Sequence, residues 1–243
     1  MHPDVYREMA AVQERHWWFA ARRRILATVI EGLSLPAQAE ILEIGCGTGG
    51  NLAMLSTFGL LRAMEYDDTA RGIAADLGHS AVVAGGLPEP VPFADGSFDL
   101  VCLLDVLEHI EDDGAALARA GRLLKAKGRL LVTVPAYAWL WSAHDESHHH
   151  RRRYTQGMLK QRAMAAGLEV RRLGYFNSLL FPLIAGTRIA RTLAGGAAGS
   201  DAALPSPAVN ALLTGIFGAE RHVIRHGLFP FGTSVMAVLS AVP

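Results

Sequence analysis

The sequence predicts an α/β protein, a parallel sheet covered by helices on both faces, and two observations carry that expectation. Short apolar runs alternate with stretches of helical periodicity through the middle of the chain, the pattern of strands joined by crossover helices. One of those runs, Ile41-Leu42-Glu43-Ile44, passes straight into Gly45-Cys46-Gly47-Thr48-Gly49-Gly50. A strand that turns through closely spaced glycines into a helix exposes backbone N–H groups to a ligand. The chain of 243 residues is 51% hydrophobic and 19% charged, enough for a buried core and contrary to disorder. Its 23 basic and 23 acidic residues cancel, which argues against a nucleic-acid partner.

Taken in order, Val5, Met9, Val12, His16 and Phe19 recur at helical spacing, and a basic helix follows over 22–30, ending near Gly32 and Pro36. Residues 1–36 therefore read as a helical cap on a domain spanning 37–243. Strands are expected at 41–44, 60–65, 81–84, 98–103 and 129–134, with helices over 51–58, 69–77 and 115–125. A loop rich in aromatic and histidine residues, 137–153, leads to a helix over 155–166 and a sixth strand over 168–173. A helical insertion over about 178–228 follows, broken by the Gly195-Gly196-Ala197-Ala198-Gly199-Ser200 linker and the Pro205-Ser206-Pro207 turn. Within it Val209, Leu212, Leu213, Ile216, Phe217, Val223 and Ile224 make an apolar stripe. A last strand is placed at 234–239.

Two cysteines, Cys46 and Cys102, cannot form a disulfide framework, so a reducing, cytoplasmic setting is expected. The first fifteen residues lack an apolar signal core. No run approaches the ~20 apolar residues of a membrane span.

The glycine loop, which also satisfies G-x-G-x-x-G through Gly45, Gly47 and Gly50, is a weak signal alone. It is joined by Glu65 at the end of the second strand, where a carboxylate can accept hydrogen bonds from both hydroxyls of a ribose. Tyr66 beside it can lie against a base, and the Ala84-Gly85-Gly86-Leu87 turn closes the third strand within a base's reach.

Glu43-x-Gly45-x-Gly47-x-Gly49, Glu65, Phe98-Asp99-Leu100-Val101, Leu107-Glu108-His109 and Gly121-Arg122-Leu123-Leu124-Lys125-x-x-Gly128 follow in a fixed order. Together they resemble the class I S-adenosylmethionine-dependent methyltransferases over about residues 38–177. That resemblance implies a Rossmann-like, seven-stranded sheet whose last strand is antiparallel. It implies that Glu43, Gly45, Cys46 and Gly47 surround the amino-acid part of the cofactor and that Glu65 holds its ribose. Tyr66, Gly86 and Leu87 fall at the adenine, and Leu104 beneath the cofactor. Many relatives carry an Asp where this chain has Gly86, so backbone groups would serve the adenine amino group here.

The flanking segments His16-Trp17-Trp18-Phe19 with Arg22-Arg23, Trp139-Leu140-Trp141, His144-Asp145-Glu146, His150-Arg151-Arg152-Arg153-Tyr154 and Pro230-Phe231-Gly232-x-Ser234 resemble a bacterial small-molecule subgroup. That subgroup is related to the ubiquinone and menaquinone methyltransferases, in which an arginine at the position of Arg23 reaches a carboxylate.

Methyl transfer from a sulfonium is an in-line displacement, and a base is needed only where the acceptor is protonated. His109, His144 and His150 are the candidates, all at expected strand C-termini. The run His148-His149-His150-Arg151-Arg152-Arg153 reads either as a solvated basic loop or as a lid whose Arg152 or Arg153 pairs with a substrate, with Asp145 or with Glu146. Were residues 105–109 helical, Asp105, Glu108 and His109 would share a face and could converge on one cation. The ubiquinone-type enzymes hold magnesium on a similar Glu-x-x-Glu-His triad, so magnesium is a secondary expectation and the metal stays unassigned. Leu179, Leu180, Phe181, Leu183 and Ile184, with Arg188 and Arg191, read either as core or as an amphipathic surface (178–191) that meets a membrane or a lipid-like substrate. A nicotinamide-dependent oxidoreductase and a non-catalytic cofactor-binding protein are the competing expectations.

Overall fold

A computed structural model describes residues 3–78, 82–193 and 204–242. Seven strands form one sheet: β1 (Ala39–Ile44), β2 (Gly59–Glu65), β3 (Val82–Ala84), β4 (Phe98–Leu104), β5 (Leu124–Pro135), β6 (Leu168–Phe176) and β7 (Ser234–Ala241). Their order across the sheet is β3-β2-β1-β4-β5-β7-β6. Neighbours from β3 to β5 run parallel, while β7 lies between β5 and β6, antiparallel to both. The antiparallel last strand is thus present. Ala81 and the glycine-rich linker 195–200 lie outside the described residues.

The helices are α1 (Pro3–Val12), α2 (Trp17–Glu31), α3 (Leu52–Leu55), α4 (Asp68–Asp76), α5 (Asp113–Arg122), α6 (Ala143–Ser147), α7 (Gln156–Ala165), α8 (Phe181–Leu193), α9 (Pro207–Ala219) and α10 (Arg221–Ile224). Apolar spacing suggested one helix running through His16, but the chain breaks there. His16 adopts an extended conformation (ψ 132°), and its ring accepts from the Trp18 N–H, which caps α2. The basic helix therefore starts at Trp17 rather than Arg22. A second correction concerns Leu124 and Lys125, expected at the end of a helix and found in β5. Leu124 pairs with Phe98, and Gly128, where an added Cβ would stand 2.8 Å from the Phe98 carbonyl oxygen, lets β5 pass close to β4.

Alternating strand residues feed two cores. On one face Ile25, Leu26, Val29 and Ile30 of α2 pack with Phe217 and Ile224 against Ile41, Leu100, Cys102, Leu131 and Met236. On the other, Leu117 of α5 and Leu159 of α7 cover Leu42, Val101, Leu130 and Leu239. Truncating one such buried leucine to alanine costs about 2–5 kcal/mol.

Of the expected apolar stripe, Phe217 and Ile224 are buried, Leu213 and Ile216 pack at the core margin, and Val209, Leu212 and Val223 face solvent. Two polar anchors fix the insertion. Asn210 accepts from the Trp17 N–H and donates to the Arg15 carbonyl, both at 2.8 Å. Buried Glu220 accepts from the N–H groups of Asn177, Ser178 and Leu179 at 2.6–2.8 Å. Leu180 is buried and Ile184 packs on the core, whereas Leu179 and Leu183 are exposed. Among the described residues no helix is long and apolar enough to cross a membrane.

Candidate functional site

The C-terminal ends of β1 to β5 line one edge of the sheet, where an α/β sheet of this kind binds ligands. The loop after β1 is held by glycine. Gly45, Gly47 and Gly49 have φ of +72°, +56° and +87°, a region that a side chain disfavours. A Cβ on Gly45 would meet Val106 at 2.7 Å, so packing as well as conformation demands glycine there. A Cβ on Gly47 would meet nothing within 4 Å: the loop is open to a ligand at that point.

Two carboxylates flank the opening. Glu65 is 7% exposed; Oε2 accepts from the Gly47 N–H at 2.7 Å and Oε1 from the Asp67 N–H at 2.9 Å. Each oxygen keeps acceptor capacity for a hydroxyl. Glu43 is fully buried at the end of β1; Oε1 accepts from Asn51 Nδ2 at 2.8 Å, and Oε2 has no partner. Burial pushes its pKa up to about 7, against the pull of Asn51 and Arg22. An orphaned buried acceptor beside a glycine cradle fits a ligand that brings its own donor, as an ammonium does.

Tyr66, after β2, is 79% exposed, and its Cβ lies close to Gly86. Leu87 and Leu104 are buried at the ends of β3 and β4. Burial raises the Cys46 thiol pKa, with Glu43 and Glu65 adding to it, so Cys46 is an inert, protonated packing residue. Arg23 does not present a free guanidinium. It donates to the Gln13 carbonyl at 2.8 Å and the Gly50 carbonyl at 3.3 Å, and pairs with Glu14.

Sequence reasoning missed how the first helices meet this loop. Thr48 Oγ1 donates to Gln13 Oε1 at 2.7 Å, and an added Cβ on Gly50 would strike that same oxygen. Buried Tyr6 lies near Glu65 and Asp67, whose charges add to burial in raising its pKa. No glycine motif contains Gln13 or Tyr6; the only signal was that 1–36 would form a cap.

The ends of β4 and β5 differ from expectation. Asp105, Glu108 and His109 do not share a helical face, because only Leu107–His109 forms a single 3-10 turn and Asp105 has φ +60°. Asp105 is taken by Arg22 at 2.9 Å and by Thr133 Oγ1 at 2.9 Å, and Arg22 also donates to Thr133 Oγ1 at 2.8 Å. The buried Arg22 guanidinium stands 5.0 Å from the Trp18 ring centre, so Arg22 rather than Arg23 penetrates the site. The oxygen-rich magnesium triad is accordingly not formed.

His109 gains a different neighbour. Its ring centre lies 4.7 Å from that of His150, and His144 packs 5.8 Å from His150, so the three candidate bases come together. Burial, helped by the surrounding imidazoles, pushes His109 and His144 down to about 3, so both are neutral near pH 7. Nδ1 of His150 bonds Asp145 at 2.8 Å, and Arg153 bonds both oxygens of the same carboxylate at 2.8 and 2.9 Å. Arg152 pairs with buried Asp113 at 3.0 Å. Of the two readings of that run, the solvated basic loop fails at Arg152 and Arg153, whose partners are Asp113 and Asp145; Glu146 and His149 are exposed.

Comparison with known proteins bears on the family and the fold. A family model described as a methyltransferase domain matches residues 17–173. The biotin biosynthesis bifunctional protein of Bordetella avium is 36% identical over 135 residues, 51% of this chain and 28% of that protein. The 27-O-demethylrifamycin SV methyltransferase of Amycolatopsis mediterranei is 29% identical over 120 residues, 44% of each chain. This chain thus spans less than half the length of either relative. The Haemonchus contortus phosphoethanolamine N-methyltransferase 2, solved with S-adenosyl-L-methionine, superposes with a TM-score of 0.57 at 18% identity, covering 90% of this chain and 52% of that one. Sheet order, glycine loop and family match lead to one assignment: the chain belongs to the methyltransferase-domain family.

Proposed function

We propose that the chain transfers a methyl group from S-adenosylmethionine to a small-molecule or lipid-like acceptor. The observation that carries this reading is the pairing of an open glycine cradle with two differently used carboxylates. Glu65, with acceptor capacity on both oxygens, suits two ribose hydroxyls, and Glu43, with an orphaned oxygen, suits an ammonium. Gly45, Cys46 and Gly47 would lie around the amino-acid portion, Tyr66, Gly86 and Leu87 about the base, and Leu104 below. In this reading Arg23 acts through the loop, tying Gly50 to Gln13, and the helices before β1 close over the cofactor as a cap.

When bound, the cofactor supplies a methyl group on a sulfonium whose thioether is the leaving group. The protein's part is to hold the acceptor in line and exclude water, and orientation of that kind can supply about 7–11 kcal/mol. His109, His144 and His150 would take the acceptor's proton where it has one; burial keeps His109 and His144 neutral, but a pKa lowered to about 3 makes those two weak acceptors of that proton. Exposed Leu179 and Leu183 offer a greasy approach for a lipid-like acceptor or a peripheral membrane contact over 178–191. The side chain of Arg191 lies outside the described residues. Buried, unpaired Cys46 and Cys102 suit a cytoplasmic setting.

Calorimetry with S-adenosylhomocysteine tests the reading. Stoichiometric binding is expected, and Glu65→Ala should weaken it by roughly 10–150-fold, the value of a charge-assisted hydrogen bond. Unchanged affinity in that variant, or a response to a nicotinamide dinucleotide in place of the thioether, would sink it. Binding without methylation of any tested acceptor would favour the non-catalytic alternative.

A further inference from the structure

Behind the turn that follows β4 sits an ionisable group outside the glycine-loop site. Glu108 is fully buried, and neither of its carboxylate oxygens has a hydrogen-bond partner. The cations near it make their hydrogen bonds elsewhere, Arg22 through a terminal nitrogen to Asp105 and Thr133 with its Nε unpartnered, and Arg153 to Asp145 and the Ala136 carbonyl. A buried carboxylate left this way costs several kcal/mol unless it is protonated or a cation joins it.

Its immediate neighbours are two imidazoles. One ligand atom from each of Glu108, His109 and His150 falls within 4.8 Å of the other two, a separation that one ion can bridge. His150 is oriented for that role. Its Nδ1 is spent on Asp145 at 2.8 Å, which leaves Nε2 as the nitrogen it has to offer. Asp145 is itself fixed by Arg153 and by the Ser142 N–H at 2.8 Å. A carboxylate behind a histidine is the usual outer support of a metal-binding imidazole, fixing its tautomer and raising its basicity. His109 is partly exposed and gives an ion its approach from solvent, while the His150 side chain is only 7% exposed.

We infer that Glu108, His109 and His150 form a mononuclear divalent transition-metal site, with Asp145 and Arg153 as its outer support. Two nitrogens and one carboxylate select zinc, cobalt, iron(II) or manganese over magnesium and calcium, which prefer oxygen donors throughout. Three protein ligands leave open positions for water or another donor. The site is not the helical arrangement of Asp105, Glu108 and His109, because Asp105 is withdrawn by Arg22 and the third ligand arrives from beyond β5. It rests on this geometry apart from the cofactor reading, and an ion held there would occupy His109 and His150 in place of the proton-accepting role proposed for them.

The test is a titration of the full chain, stripped with a chelator and dialysed, with zinc sulfate and separately with cobalt(II) chloride. One equivalent should bind. Glu108→Gln, His109→Asn and His150→Asn should each lower zinc affinity by at least about 100-fold, and Asp145→Asn by about 10–100-fold. The surface change His222→Ala should leave it unaltered. S-adenosylhomocysteine binding, measured on the same samples, reports the cofactor site separately, so either site can fail alone. Should a variant not fold, X-ray absorption of the zinc-loaded wild type decides: nitrogen and oxygen donors with an imidazole signature support the site. An all-oxygen or sulfur shell overturns it, as does sub-stoichiometric binding or equal affinity in all three ligand variants.

Discussion

Around the loop after β1, local backbone makes the proposed cofactor surface: three glycines with positive φ, the N–H of Gly47 and two carboxylates at adjacent strand ends. Around the ends of β4 and β5, side chains hold the structure. Arg22 from α2 joins Asp105 from after β4 and Thr133 from β5, and Asp145, His150 and Arg153 from beyond β5 join one another, with the unpartnered Glu108 carboxylate also buried there. The first region is written within some 25 consecutive residues (43–67), and the second spans well over a hundred. A region built from backbone resists side-chain change and fails at glycine, whereas one built from side chains fails wherever a buried charge loses its partner.

The largest effect that would test this contrast is expected at Asp145. Asp145→Ala leaves Arg153 buried without its carboxylate, and urea denaturation should show a loss of about 3–5 kcal/mol. Folded protein should keep wild-type affinity for S-adenosylhomocysteine. A stability loss under 1 kcal/mol would mean that the second region is solvated after all.

Glu43 gives the next effect, through pH. Its folded pKa is raised from 4.5 to about 7, so the native state holds a proton that the unfolded chain has released. Stability contributed at Glu43 therefore falls as pH rises from about 4.5 through about 7, by on the order of 3 kcal/mol in total. Denaturation curves across that window should flatten by this amount in Glu43→Gln. An unchanged pH slope in the variant would refute the assignment.

Gly45→Ala should follow, at about 1–3 kcal/mol, because the new methyl group meets Val106. Gly47→Ala meets no atom and should cost less stability while still blocking the ligand. Thermal unfolding and calorimetry together separate the two; equal stability losses would contradict the geometry. Tyr66→Ala should be smallest, within about 0.5 kcal/mol of wild-type stability for so exposed a residue. Any several-fold loss of cofactor affinity would then report the ring's contact with the base alone.

The same contrast explains what could be read from the sequence. Alternation of strand and helix, the glycines, Glu43 and Glu65 are local features, and the sheet and loop follow from them. The break at His16 escaped because a histidine cap leaves apolar spacing intact on both sides. Leu124 and Lys125 escaped because the residues on either side of a helix–strand turn satisfy both periods. Arg22 lies next to Arg23 in a run of three arginines, and only packing of α2 on the sheet decides which one points inward. The convergence of His150 on His109 required the path of residues 136–150, which no local pattern encodes.

Because β7 separates β5 from β6, the sheet cannot be assembled in the order in which its strands leave the ribosome. Until residue 234 has been synthesised, β5 presents a bare edge and β6 has no sheet to join. For roughly a hundred residues of translation the nascent chain therefore carries an apolar strand with one bare edge, the condition under which holding chaperones act.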